Sequence, residues 1–219
     1  MVKVLLAIFL WVSACSTFVP PTVQSKRSTD LDTRRIKRIA VLLPGGMAPE
    51  PGVQASSTSA SPVKEEELSE LLARLVYSAM AAMPNWQIVS ESEVREVAQS
   101  IPPGADMARL RTIGEMVYAD AVIVGRVERY RERIGNEWGA KSPASVAFVL
   151  NLIDIRRGDT VWSARFDETQ KPLSENIFAL GQIGERGIRW LSAEQLTGEG
   201  VRKAVAQLHQ ALVPGPASS

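Results

Sequence analysis

Residues 120–168, DAVIVGRVERYRERIGNEWGAKSPASVAFVLNLIDIRRGDTVWSARFDE, decide the fold, because they predict three consecutive antiparallel strands. The first begins with the apolar run from Ala121 to Val124, which is typical of a central strand covered on both faces. Charged side chains then follow one another from Arg126 to Arg133. The far end of this strand is therefore expected to project into water.

The second and third strands each show the period of two that marks one buried face. The second strand, at about 144–155, places four apolar side chains on one side: Val146, Phe148, Leu150 and Leu152. The third, at about 160–168, does the same with Trp162, Ala164 and Phe166. Gly158 lies between the two strands, where a tight turn needs a positive φ. These faces predict the core of the domain.

The first 14 residues predict a signal peptide, with Lys3 ahead of a short apolar segment from Val4 to Val12. Nine apolar residues are too few to span a bilayer, which needs roughly 20. Small residues then lead into Cys15, and this pattern resembles the bacterial lipoprotein box. An ordinary secretory signal with an incidental cysteine is the alternative. The resemblance implies that Cys15 becomes the lipidated first residue, with palmitate among its acyl chains.

Ser16, rather than Asp, follows the cysteine. By resemblance to lipoprotein sorting, this residue implies the outer membrane, with the protein facing the periplasm. Several acyl chains make such attachment effectively permanent. Cys15 is also the only cysteine, so the mature chain forms no internal disulfide and must be held together by packing.

The remaining sequence predicts one folded domain with irregular segments around it. Residues 15–35 contain Pro, Ser, Thr and mixed charge, and are predicted to be a flexible tether that follows the lipidated cysteine. A single periplasmic α/β domain is predicted at 36–212, with a mobile loop at 44–63 and a loose tail at 213–219. We expect a mixed sheet, parallel among its first three strands and ending in the antiparallel meander, with helices packed across it.

Net charge excludes one class of partner. The 25 Lys and Arg residues balance 24 Asp and Glu residues, so the sequence predicts no nucleic-acid binding. A local excess of positive charge lies at residues 34–38. It is interpreted as the solvated flank of a strand, with contact to anionic lipid as the alternative.

Catalytic and metal-binding patterns are sparse. The single histidine, His209, lies on the last predicted helix, and no His/Cys metal set or nucleophile motif accompanies it. We therefore expect no cofactor, no small-molecule substrate and no enzymatic activity. The alternative is an envelope hydrolase that uses carboxylates at strand ends, namely Asp154, Asp167 and Glu168, one of which would need an apolar pocket.

Four residues near the end of the first meander strand are candidates for binding a partner: Arg129, Arg131, Arg133 and Trp138. Arg and Trp are enriched among residues that dominate interface energetics. Trp138 lies in the predicted loop 135–140, and folding back over the sheet end is as compatible with the sequence as exposure.

The order of elements resembles a group of bacterial envelope lipoproteins and periplasmic domains. The matching features are Cys15 in its box, the apolar strand at 36–43, the stretch from Ala119 to Gly125, and Val161-Trp162-Ser163. The group includes penicillin-binding-protein activator lipoproteins, the curli-secretion-channel lipoprotein and the N-terminal domain of the Tol-system propeller protein. The resemblance implies a non-catalytic adaptor or regulator of a peptidoglycan-synthesis or Tol-type assembly, with an unidentified envelope protein as its partner.

Overall fold

The computed structural model describes residues 23–43, 62–102, 107–170 and 190–213. The strands are β1 Val23–Arg27, β2 Arg38–Leu42, β3 Gln87–Ile88, β4 Ala121–Arg131, β5 Ile134–Gly135, β6 Ala140–Ser142, β7 Ser145–Asp154 and β8 Thr160–Thr169. The helices are α1 Pro62–Ala81, α2 Glu91–Ser100, α3 Met107–Met116 and α4 Ala193–Leu212, with a 3-10 turn at Leu31–Thr33.

A six-stranded mixed sheet forms the framework, in the order β1-β8-β7-β4-β2-β3. The predicted meander is confirmed, because β7 pairs antiparallel with both β4 and β8. The predicted parallel part is confirmed too, since β2 runs parallel to β3 and to β4. The expected α/β class with a mixed sheet and helices packed across it is therefore the observed one. A separate two-stranded hairpin, β5-β6, interrupts the meander between β4 and β7.

Helices cover both faces of the sheet, but to different extents. On the first face α1 and α4 pack over the alternating residues of the meander, so that Phe148, Trp162 and Phe166 are buried. On the second face α2 and α3 pack over β2 and the first half of β4, where Ala40 and Val122 are buried. The described helices leave the second face uncovered over the other half of the meander.

Local capping signals place two of the helices. The Ser90 side chain accepts a hydrogen bond from the Glu93 backbone N–H at the start of α2. Ser192 and Gln195 form a reciprocal capping box at the start of α4. This helix continues without interruption through Gly198 and Gly200.

The prediction that residues 15–35 form a flexible tether is wrong for residues 23–35. Val23–Arg27 forms an edge strand on β8, and Leu31 is buried in the first core. One buried apolar residue in β1, Val23, and one in the following turn, Leu31, are enough to pack this segment. The strand itself is held by backbone hydrogen bonds, which the side-chain types in the sequence do not reveal. The folded domain therefore includes residues 23–35 and does not begin at residue 36.

Several predictions lie outside the described residues. These are the signal peptide at 1–14, Cys15, most of the loop at 44–63, the irregular stretch at 171–189 and residues 214–219. The last two residues of the predicted loop, Pro62 and Val63, belong to α1.

Candidate functional site

A bulge in β4 decides where the predicted arginines lie. Val127 pairs with Phe148 and Arg129 pairs with Ala147, so Glu128 is an extra residue. Without the bulge Arg129 would share the core face of Val127. With it, Tyr130 packs against the first core instead, and Arg129 turns to the second face of the sheet.

The register aligns polar residues into rows across the uncovered part of this second face. Arg129 lies in a row with Ala147 and Asp167, and Arg126 lies in a row with Val149, Arg165 and Gln24. A further row contains Asn151, Ser163 and Lys26. We call this surface the open face, defined by Gln24, Lys26, Arg126, Arg129, Arg131, Val149, Asn151, Ser163, Arg165 and Asp167.

Ion pairs organise the open face. Arg129 donates to the Ser145 Oγ at 2.7 Å and pairs with Asp167. The Glu128 carboxylate lies between Arg126, at 3.0 Å, and Arg165. Such exposed pairs contribute little to stability individually, typically about 0–1 kcal/mol. The network therefore fixes the positions of cationic side chains on a surface that folding does not otherwise require.

The hairpin β5-β6 carries the fourth candidate residue. Gly135 has a φ of 116°, and the Asn136 Oδ1 accepts hydrogen bonds from the N–H groups of Trp138 at 3.0 Å and Gly139 at 2.8 Å. This turn leaves the Trp138 side chain 70% exposed, and Ile134 on the same hairpin is 61% exposed. Of the two arrangements compatible with the sequence, the structure has the exposed one.

The structure thus separates the four candidates. Arg129 and Arg131 lie on the open face, and Arg131 is exposed. Arg133 lies at the root of the hairpin, where it donates to the backbone oxygen of Trp190. The arginines do not form one projecting cluster as the sequence suggested, because the bulge and the hairpin point them in different directions.

A second charged cluster joins the N-terminal segment to the turn between β7 and β8. The side chain of Arg34 is only 6% exposed and donates to Asp154 at 2.9 Å and to both carboxylate oxygens of Asp159, at 2.6 and 2.7 Å. It also donates to Asp30 at 2.9 Å. Hydrogen bonds from Ser28 and Arg34 lower the pKa of Asp30 to about 2, and the bond from Arg34 lowers the pKa of Asp159.

The strand-end carboxylates serve as structural partners. Asp154 accepts from the backbone N–H groups of Arg156 and Arg157, at 2.8 and 3.1 Å, as well as from Arg34. A cavity of about 320 Å³ beside it is lined mainly by charged residues, including Arg35 and Arg156. A general acid needs an apolar pocket that raises its pKa. These surroundings do not favour the hydrolase alternative.

His209 packs edge-on against Trp86, and its Nε2 lies 2.9 Å from the backbone oxygen of Pro84. Within the described ranges, no group of three or more His, Cys, Asp or Glu side chains is arranged to hold a metal ion. No helix in this part of the chain is both long and apolar enough to cross a bilayer.

Sequence reasoning missed Arg126, Arg165 and Lys26 as members of one surface. The only signal for it was the polar alternation of residues 163, 165 and 167, opposite the core residues of β8. The sequence around Lys26 contains no such signal, because its place beside β8 depends on pairing with residues more than 130 positions later.

No protein-family model matches the chain, and no curated protein matches it. Solved structures of similar shape include a PelC dodecamer from Paraburkholderia phytofirmans, with 16% identity, a TM-score of 0.47, and coverage of 86% of this chain and 98% of that one. The C-terminal domain of LpoB from Salmonella enterica has 14% identity and a TM-score of 0.39, covering 61% and 83%. Lipoprotein GNA1162 from Neisseria meningitidis has 18% identity and a TM-score of 0.37, covering 68% and 96%. Function does not carry over at such identities and TM-scores.

Proposed function

We propose that the protein is a lipoprotein anchored in the outer membrane through Cys15, whose periplasmic domain is a non-catalytic adaptor or regulator of an envelope assembly. The observation that carries the adaptor role is the open face. It is a sheet surface that the described helices leave uncovered and that is lined by four cationic side chains, Lys26, Arg126, Arg129 and Arg165.

The charge of this face suggests the chemistry of the partner. Among the described residues, Glu128 and Asp167 are the carboxylates paired with these four cations, and exposed Arg131 adds a fifth cation at the edge of the face. A surface of one predominant sign attracts a partner of the opposite sign and fixes its register. The adaptor is therefore proposed to bind an envelope protein through an acidic surface of that protein. The peptidoglycan-synthesis and Tol-type assemblies are the proposed settings, on the sequence resemblance.

Site-specific photo-crosslinking in cells tests the adaptor role. A photoreactive amino acid replaces Arg131 or Arg165 on the open face, and Glu194 or Gln210 on the exposed side of α4 serves as the matched control position. We expect one envelope protein to be captured from both open-face positions and from neither control position. Capture from the α4 positions alone would place the partner elsewhere and contradict the proposal.

The captured protein is then purified for binding measurements. Arg131→Glu should weaken its affinity at least tenfold, about 1.4 kcal/mol, while Glu194→Lys on α4 should leave the affinity unchanged. Melting temperatures of both variants establish that the fold is intact. An unchanged affinity for Arg131→Glu and for a separate Arg165→Glu variant would overturn the role of the open face.

A further inference from the structure

The tip of the hairpin β5-β6 exposes two large apolar side chains that the fold does not use. Ile134 is 61% exposed and Trp138 is 70% exposed. Ile134 lies on β5, and Trp138 lies four residues later in the turn that Asn136 shapes. Paired apolar side chains on one projection mark a surface that meets an apolar environment.

The hairpin is braced against the start of α4. The carboxylate of Glu132 accepts from the Ala193 N–H at 3.1 Å, and Arg133 donates to the backbone oxygen of Trp190. The Trp190 N–H in turn donates to the Glu137 backbone oxygen at 2.8 Å. These bonds hold the entry to the hairpin and its turn against the start of α4.

The first residue of β1 lies at the same end of the sheet as this hairpin. Val23, Phe166, Phe148 and Val127 form one row across β1, β8, β7 and β4. Alternating strand directions put the first residue of β1 toward the same sheet end as the last residue of β4. Only two residues separate the end of β4 from β5, so the hairpin follows directly at this end.

The length of this connection limits how far the domain lies from its anchor. Cys15 precedes Val23 by eight residues, so the connecting chain reaches at most about 29 Å when fully extended. A lipid anchor at Cys15 therefore holds Val23, and with it the hairpin end of the sheet, within about 29 Å of the membrane surface.

We propose that Ile134 and Trp138 insert into the head-group region of the phospholipid leaflet that holds the lipidated Cys15. The inference rests on the proposed lipid anchor. Tryptophan favours this region, because its ring is apolar while its N–H remains accessible to water. Exposed Lys141 on β6 suits the phosphate groups of the same leaflet. The hairpin is thus a second, non-covalent membrane contact that fixes the orientation of the domain.

The single cysteine allows a direct test with the chain from Cys15 to Ser219. Unacylated Cys15 is coupled to a maleimide phospholipid in phosphatidylethanolamine–phosphatidylglycerol vesicles, which reproduces the tether at its own length. Tryptophan fluorescence is measured with and without brominated phospholipids, which quench only rings in contact with the bilayer. We expect a quenched component in the coupled protein and its loss in Trp138→Ser.

The opposite sheet end supplies the matched control, because Met116 is 51% exposed and Tyr118 is 82% exposed there. Met116→Ser with Tyr118→Gly should retain the quenched component at the wild-type level. Quenching that persists in Trp138→Ser, or that is absent from the coupled wild type, would overturn the proposal. Chemical coupling does not depend on acylation in cells, so this result is separate from whether Cys15 is lipidated there.

Discussion

At the scale of single residues, Gly200 shows how closely α4 approaches the sheet. A Cβ atom at this position would lie 2.8 Å from two atoms of the Phe166 ring, which is itself fully buried. The absence of a side chain at Gly200 therefore allows α4 to approach β8 this closely. Glycine has a low helix propensity, but a larger residue would not fit at this contact.

Gly200→Ala is expected to destabilise the protein by about 1–3 kcal/mol, because the added methyl group overpacks the core. Gly198→Ala is the matched control in the same helix. Its Cβ would make ordinary contacts, with the nearest atoms at 3.5 and 3.6 Å. This second variant should be neutral or stabilising by up to about 1 kcal/mol, since alanine is the better helix former. Urea denaturation measures the free energy of unfolding of both variants. Equal changes for the two substitutions would contradict the packing argument.

Residues whose role is local could be predicted from the sequence, and residues whose role depends on distant pairing could not. Ser192 and Gln195 form a capping box that is visible in the sequence, because the whole motif lies within four positions. Arg129 was expected at a projecting end, yet its direction depends on a bulge relative to β7. Tyr118, two residues after the end of α3, has a φ of 53°, a conformation for which glycine is usual after a helix, so the sequence gave no sign of that turn.

At the scale of elements, the segment from β1 to Arg34 shows why the predicted tether was wrong. Its composition is polar, and the strand is held by backbone pairing with β8. Arg34 then fastens the segment to the end of β7 and the following turn through Asp154 and Asp159, and Arg157 in that turn pairs with Asp30. The strands of the meander can be recognised from their own apolar residues. The structure of this segment instead depends on partners more than 110 residues away in the sequence.

The acid stability of the protein should depend on this fastening. The pKa of Asp30 is lowered from 3.8 to about 2, and that of Asp159 is lowered as well, so both favour the folded state while they are ionised. Their contribution is complete above the unfolded pKa and is lost as the pH falls from about 4 to about 2. We expect the variant Asp30→Asn with Asp159→Asn to melt below the wild type at pH 7.

The two melting temperatures should converge between pH 4 and pH 2, because the wild type then loses the same charges. Thermal melts followed by circular dichroism across this range provide the measurement. A difference in melting temperature that stays constant down to pH 2 would show that the two carboxylates do not stabilise the fold through their ionised forms.

At the scale of the whole molecule, the sheet has two unlike ends and one open side. The hairpin end carries Ile134 and Trp138 and the first residue of β1, while the opposite end carries the Arg34 cluster. The mixed sheet was predictable because its strands are apolar and its turns are marked by Gly158 and by polar sequence. The open face was not, since an uncovered surface follows from where the helices pack.

Membrane attachment of the whole protein should depend on Cys15. Cys15→Ala is expected to prevent acylation and to leave unprocessed precursor or soluble protein, measured by fractionating cell envelopes. Ser16→Asp is the matched control, which retains the cysteine and, by resemblance to lipoprotein sorting, should move the protein to the inner membrane. Recovery of Cys15→Ala in the outer membrane at the wild-type level would contradict the lipid anchor.

The antiparallel edge strand also has a mechanical consequence. Tension on the chain ahead of Val23 runs along the axis of β1, so its five register pairs with β8 bear the load in shear, together rather than one after another. Beyond the strand, the Arg34 cluster acts as a stop that would have to break before the segment could slide. A pull on the N-terminal end of β1 is therefore opposed by the whole strand and the Arg34 cluster together.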